Sequence, residues 1–572
     1  SSISAMVRQP QPRGDAPTTD PPTAAEALPG PGRGPILAGA ALLGLSLVAP
    51  LLAWAATPRG EVFGGFVEEA RDGVSYVAKA AEGLAGHWLY HDPYTSEPHP
   101  GSLIYLPYVL LGQLDRVLHL PLPLLLHAAS LALGGWLLWS LWSLAHACLA
   151  DRGAARLGFV LAVFGGGVGA LTGSHGDLFG YHYVSLDTGV SGTVGMQTLE
   201  LAPHVLLACL GGVRLALLWV RRAGAPRPLD LLAGAAWVLA TSAAYPQLAA
   251  MTAAAGALAW ALRPSRGRGL TWLAWAVAAL PYLAYGLYLK GHNPVFADWP
   301  PAHDIDVGDP LSYLLFGHLL MLPLAALAAW AALRRDRGGP LTFLASWLVV
   351  SAVLMYLPGL PAVLHRLYYG SFAPFGILAA AGLWRLRESV ATPRARQRLV
   401  VYATALMCLT GVQAVVEPVG IVLGHRDDLA LYFPAPDAAV LERLAAIRPE
   451  GGGLVMNTYL SGLFVPAYSR QTTYVGFPFE TIDAGRKDAE ARAFYALTDP
   501  AALRRRAARL GLDYVLWGRY ERGLGGADPG ALAGWPVLAR DGDAILYQAR
   551  GTGATGSAIR AAVAGAAAGR TL

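Results

Sequence analysis

Lysine, cysteine and charge of either sign are scarce in this chain. Charged residues are 14% of 572, whereas a soluble globular protein carries roughly a quarter, so a fold surrounded by water is excluded for most of the length. The three cysteines, Cys148, Cys209 and Cys408, lie inside apolar runs without CxxC or Cys/His spacing, which argues against a disulfide framework and a thiolate metal centre. Lysine is confined to Lys79, Lys290 and Lys487. No GxGxxG or phosphate loop follows any strand-like segment, so nucleotide binding is unsupported. The net charge of +5 does not point to nucleic acid, because the arginines sit in short loops between apolar runs, where they set membrane orientation.

What is present is apolar surface. The mean hydropathy is +0.42, and stretches long enough to span, about 20 residues each, occur at 36–56, 121–149, 155–173, 201–221, 228–245, 246–262, 270–288, 310–333, 339–357, 367–385 and 399–423. Five loops carry the basic residues, from Arg152 and Arg156 through Arg221, Arg222 and Arg227 to Arg394, Arg396 and Arg398. Placing these loops in the cytoplasm predicts about eleven crossings, a cytoplasmic N-terminus and an extracytoplasmic C-terminus. A twelfth apolar run, 102–118, would break that alternation, so it is expected to lie along the outer face without crossing. Residues 1–34, rich in Pro, Gly and Ala, read as a disordered cytoplasmic tail, and 551–572 as a flexible tail. The Ala, Gly, Leu and Arg excess resembles that of a GC-rich bacterium, so the bacterial inner membrane is the expected location.

The long polar segments, 58–120, 174–200, 289–309 and 424–550, all fall on the outer side of this scheme. In 424–550 short apolar strands (454–456, 513–517, 536–538 and 544–547) alternate with helices at 436–447, 484–496 and 500–510, the pattern of a small α/β domain. The transmembrane part therefore spans 35–423. The mixture of imidazole and carboxylate in 174–200 (His175, Asp177, His182, Asp187, Glu200) can hold a divalent cation, but its spacing matches no defined site and no metal ligand is assigned.

The first outer block carries the candidate chemistry. Glu68, Glu69 and Asp72 precede a helix whose Val74, Val77, Ala81 and Leu84 share one face, the pattern of a helix lying in the interface. A second polar cluster, His91, Asp92, Glu97 and His99, leads into Pro98-His99-Pro100-Gly101 and the apolar SLIYLPYVLLG. This arrangement resembles the GT-C superfamily of membrane glycosyltransferases, in an uncharacterised bacterial subfamily. The segments that carry the likeness are RDGVSYV, DPYTSEPHPG, LELAPHVLLA, NPVFADW, YVGFPFET and LDYVLWGRYE. The resemblance implies a polytopic GT-C-like fold with outer juxtamembrane helices. It also implies transfer of a sugar from a polyprenyl-phosphate donor to a lipid, glycan or protein acceptor. The family's Asp-Glu pair is not intact, since Gly73 follows Asp72, leaving Asp72 or the Glu68-Glu69 pair as the acidic residue, with Asp72 and Glu69 the expected catalytic carboxylates. Glu97, His99, Glu200, His204, His365 and Arg366 are the expected substrate-binding residues. Arg366 is a phosphate ligand by virtue of its bidentate guanidinium, and Lys79 is a further outer-side cation. The competing reading is a non-catalytic subunit of the same fold. In an enzyme Asp72 should border an open cavity containing a cation; in a structural subunit apolar side chains should fill that space.

Overall fold

The computed structural model describes residues 33–172, 175–178, 181–184, 192–297, 316–355, 368–424 and 430–550. A helix occupies each of the eleven apolar stretches. Six are long and apolar enough to cross a membrane: Arg33–Ala55, Leu122–Cys148, Arg152–Thr172, Pro203–Arg222, Arg266–His292 and Pro393–Gly424. Four shorter apolar helices, Pro228–Ala244, Pro246–Leu262, Leu322–Arg334 and Thr342–Leu354, pack among them, as does Phe372–Glu388. The shared core is built from Leu, Ala, Val and aromatic side chains, with Trp275 and Trp347 fully buried.

The Leu106–Leu118 helix has 13 residues, about 20 Å at 1.5 Å per residue, against a hydrocarbon core of about 30 Å. It packs backbone to backbone on the Ala70–Leu84 helix. A Cβ on Gly83 would stand 2.0 Å from the Val109 carbonyl oxygen, and one on Gly112 would stand 1.9 Å from that of Ala80, so glycine is needed at both crossing points.

Residues 430–550 form a five-stranded sheet in the order β6-β5-β7-β9-β8. Its strands are β5 (Leu454–Met456), β6 (Thr472–Thr473), β7 (Tyr514–Trp517), β8 (Val537–Asp541) and β9 (Ala544–Gln548). β5 runs parallel to β6 and β7, and β7, β9 and β8 are antiparallel. Side chains alternate between two buried faces. Val455, Tyr514, Leu516 and Leu546 pack with the Ala435–Ile447 helix, and Met456, Val515, Trp517 and Ile545 pack with Phe494, Tyr495 and Leu503. Burial on both faces is why these strands read as continuous apolar runs.

The first face also packs on Val74, Ala78 and Tyr94, and β1 (Glu61–Phe63) pairs antiparallel with β4 (Tyr432–Pro434). The Ala70–Leu84 helix is therefore enclosed, with Lys79 at 1% and Glu82 at 7% exposure. This corrects the expectation of a helix lying open in the interface: its apolar face packs on the C-terminal sheet domain, and on its polar side Lys79 pairs with Glu480 and Glu82 with His87. In 174–200, expected as a loop, β2 (His175–Leu178) and β3 (Tyr181–Val184) form an antiparallel hairpin. Asn293 Nδ2 donates to the Pro100 carbonyl, and the backbone N–H of Thr473 donates to that of Pro93. Residues 61–101, Asn293 and the 430–550 region thus gather at one end of the bundle.

Candidate active site

A cavity of about 210 Å³ lies where the Ala70–Leu84 helix, the start of Pro203–Arg222, the Tyr245-Pro246-Gln247 turn, the last turns of Arg266–His292 and the Phe477–Glu480 loop converge. Asp72, Lys79, His204 and Glu480 supply its charge, and Tyr76, Tyr105, Tyr245, Tyr282, Tyr285, Phe477 and Phe479 its aromatic wall.

Asp72 stands in the first turn of its helix, where a carboxylate is favoured by the free backbone N–H groups. Its carbonyl oxygen accepts from Ser75 Oγ at 2.8 Å, and Ser75 Oγ in turn accepts from Lys79 Nζ at 2.9 Å. Lys79 Nζ pairs with Glu480 Oε1 at 2.9 Å and lies 4.4 Å from the Tyr105 ring centroid and 5.1 Å from that of Tyr76. A buried ammonium is retained only when it is paired and hydrogen-bonded, and these contacts meet that requirement.

Glu480 is held from three sides, since Tyr105 donates to Oε1 at 3.1 Å and Tyr90 to Oε2 at 3.2 Å. Tyr105 adopts a left-handed backbone at φ 60°, a conformation that costs a non-glycine residue roughly 1–2 kcal/mol; the contacts to Glu480 and Lys79 hold it there. Tyr90 also donates to Asp92 Oδ1 at 3.2 Å. Burial, then the nearby Glu480, pushes the Asp92 carboxyl well above the ordinary carboxylate range.

Of the residues expected to bind substrate, His204 reaches the cavity. Its Nδ1 is bonded to the Tyr108 hydroxyl at 2.6 Å, and its ring stacks on Tyr245 at 5.2 Å. Glu200 does not join it. It lines a separate pocket with Glu68, His127 and Ser130, because Pro203 opens the helix between the two residues. Glu69 turns into the Ala70–Leu84 helix at φ 47° and borders a shallow surface with Arg71, Ile421 and Leu431 that Asp72 also touches. Glu97 pairs with the buried Lys487 at 2.5 Å. His99 accepts the Asp92 backbone N–H through Nε2 at 2.8 Å, and its Nδ1 meets the Glu97 carbonyl at 2.7 Å. Neither Glu97 nor His99 lines the cavity. His365 and Arg366 lie outside the described residues.

Tyr105 was not singled out in the sequence, Glu480 stood out only as part of the segment YVGFPFET, and Lys79 was named only as one cation among several. A signal for Lys79 was present: in a chain that uses arginine almost everywhere, a lysine among apolar helical positions stands out. The cavity's donor set does not fit a divalent ion. Glu480 is neutralised by Lys79 and shares its oxygens with two tyrosines, and Nδ1 of His204 is taken by Tyr108.

No family model matches the sequence, and no curated protein matches it. Among solved structures, the archaeal oligosaccharyltransferase AglB from Archaeoglobus fulgidus superposes with a TM-score of 0.52 at 10% identity, over 84% of this chain and 69% of that one. The fold is GT-C-like. The mycobacterial arabinofuranosyltransferase AftD superposes at a TM-score of 0.49 and 15% identity, over 90% of this chain and 40% of that one. This GT-C-like chain is a multi-pass membrane protein whose aromatic cavity sits at the end of the bundle where residues 61–101 and the 430–550 region gather.

Proposed function

We propose that the protein is a glycosyltransferase that moves a sugar from a polyprenyl-phosphate-linked donor to an acceptor hydroxyl at the extracytoplasmic face of a bacterial inner membrane. The observation that carries this reading is that Asp72 and Lys79 line one open, aromatic-walled cavity; in a purely structural subunit apolar side chains would occupy that space. The similar archaeal enzyme was solved with a dolichol-phosphate and an inhibitory peptide, which supports a lipid-linked donor.

In this reading the acceptor oxygen attacks the anomeric carbon, the bond from that carbon to the phosphate oxygen breaks, and the polyprenyl phosphate leaves. Asp72 takes the acceptor proton, a role that contributes about 10²–10⁴-fold. Among the described residues, Ser75 and Glu480 use two of the three N–H donors of Lys79; the third is available to the phosphate oxygen on which charge develops. Arg366 is a second candidate for that phosphate. The tyrosine and phenylalanine rings offer flat apolar faces to a sugar ring or the first isoprene units, and Tyr282, Tyr285 and Leu289 place one wall on a membrane-spanning helix, which suits lateral entry of a lipid.

The test is to incubate purified protein in detergent with a panel of polyprenyl-phosphate sugars and an acceptor extract, comparing wild type with Asp72→Asn. Transfer from at least one donor, lost in Asp72→Asn, is expected. Equal transfer by both proteins removes Asp72 from the mechanism, and no transfer from any donor returns the chain to the structural reading.

A further inference from the structure

Beyond the cavity, the last turn of the Ala70–Leu84 helix and the loop after it bring Glu82, His87 and His91 together. Among the described residues this is the group whose ligand atoms, one from each side chain, all lie within 4.8 Å of one another. Glu82 Oε2 stands 2.9 Å from His87 Nδ1 and 3.8 Å from His91 Nδ1, and the two imidazoles meet edge to face at 5.5 Å. A tetrahedral centre with bonds of about 2.0–2.1 Å separates its ligand atoms by roughly 3.3 Å, and the observed spacings bracket that value.

The backbone that presents these ligands is fixed independently. The N–H of His87 donates to the Glu82 carbonyl at 3.1 Å, after Gly86 reverses the chain at φ 104°. Gln113 of the neighbouring helix donates to the His87 carbonyl at 2.7 Å. Tyr90 and Ser102 pair through both backbone hydrogen bonds, at 2.8 and 2.9 Å, and set the position of His91. Glu82 is buried, while the His87 and His91 side chains are 39% and 47% exposed, so the group is anchored below and open to water above. His99 approaches His91, with ring centroids 6.3 Å apart, but both of its nitrogens are already engaged by Asp92 and Glu97.

We propose that Glu82, His87 and His91 form a binding site for a first-row transition ion of the zinc class, with three protein ligands and one open, water-facing position. Two imidazoles and one carboxylate are the donors such ions prefer, and magnesium or calcium would be poorly served by them. A bound ion replaces the proton shared by His87 and Glu82. It also ties the end of the Ala70–Leu84 helix to the segment carrying Tyr90, whose hydroxyl holds Glu480.

The probe is Co²⁺, then Zn²⁺, added to the purified full-length protein in detergent after chelator treatment. One equivalent of Co²⁺ should give visible ligand-field absorption that Zn²⁺ bleaches and that excess Mg²⁺ leaves unchanged. His87→Ala/His91→Ala should abolish the band. His91→Ala alone, at a side chain already half exposed, should keep the fold by gel filtration and circular dichroism and weaken Co²⁺ at least tenfold. Asp72→Asn should bind as wild type does, which separates this site from the cavity. Absence of a band in the wild type, or its persistence in a folded His91→Ala protein at unchanged affinity, overturns the proposal and leaves the cluster as an ion pair.

Discussion

Two acidic pockets flank the first outer block, and they resolve the same problem in opposite ways. In the cavity, Asp72 and Glu480 share the space with Lys79, and Glu480 is paired at 2.9 Å. In the second pocket, Glu68 and Glu200 lie near Glu417 and, among the described residues, no Lys or Arg lines the space. Burial, then Glu417, pushes the Glu68 carboxyl up to about 7, and burial, then Glu68 and Glu417, pushes Glu200 up to about 9. Without a cation, carboxyl groups in a low dielectric keep their protons; with one, a charge is retained where it can act. One lysine separates a candidate reaction site from a pair of buried acids held to their protons, although Glu68 and Glu200 each lie within four residues of a cavity residue, Asp72 or His204.

The largest effect should come from the residue that distinguishes the pockets in chemistry. Asp72→Asn should lower transfer by about 10²–10⁴-fold, measured as kcat/KM on whichever donor the wild type uses. Glu200→Gln should retain wild-type transfer, because the amide resembles the protonated carboxyl already present at neutral pH. Comparable losses in the two variants would erase the contrast.

Next in size is conversion of the first pocket into a copy of the second. Lys79→Met leaves Glu480 buried beside Asp92 without its ammonium. Removing one partner of a buried pair costs about 3–5 kcal/mol, read as a fall in thermal unfolding temperature. Adding Glu480→Gln should restore most of that stability and none of the transfer. If the double variant transfers sugar, Lys79 serves only to neutralise Glu480.

The third prediction uses pH. Glu68 and Glu200 bind protons more tightly folded than unfolded, so between about 4.5 and about 9 the native state holds more protons, and stability must fall as pH rises through that window. Asp92 acts in the same direction. Glu68→Gln/Glu200→Gln should flatten the alkaline part of a plot of unfolding temperature against pH. An unchanged slope would mean that both carboxylates are ionised in the native protein.

The sequence made the bundle and the sheet legible for a simple reason: each is written in local apolar periodicity. All eleven apolar stretches hold a helix, and the expected strands of the C-terminal region fall within a few residues of β5, β7, β8 and β9. The cavity was legible only on one side. Asp72, Lys79 and His204 stand on helices with readable caps and faces, whereas Glu480 meets Lys79 across 400 residues through a loop of Phe, Pro and Gly that carries no period. Glu97 and His99 are harder to place, because a polar loop of His and carboxylates looks the same whether it faces a substrate or holds itself together. What bears on that choice is Lys487, which pairs with Glu97 from 390 residues away and is itself buried.

That choice yields the smallest expected effect on transfer. Glu97 accepts from Lys487 and Thr95, and His99 bridges Asp92 and Glu97; none of these five lines the cavity. Burial pushes the Glu97 carboxyl up, but the hydrogen bonds from Lys487 and Thr95 outweigh it and hold it below its ordinary value. The pair's contribution is therefore complete above pH about 4.5 and lost as pH falls below that, the reverse of the Glu200 pocket. Glu97→Gln should leave kcat/KM within about twofold of wild type and lower stability by about 1–3 kcal/mol at neutral pH, with the two proteins converging toward acid. A large loss of transfer in Glu97→Gln, without loss of unfolding temperature, would put Glu97 on the substrate after all and extend the reacting surface from the cavity to the loop that Lys487 holds.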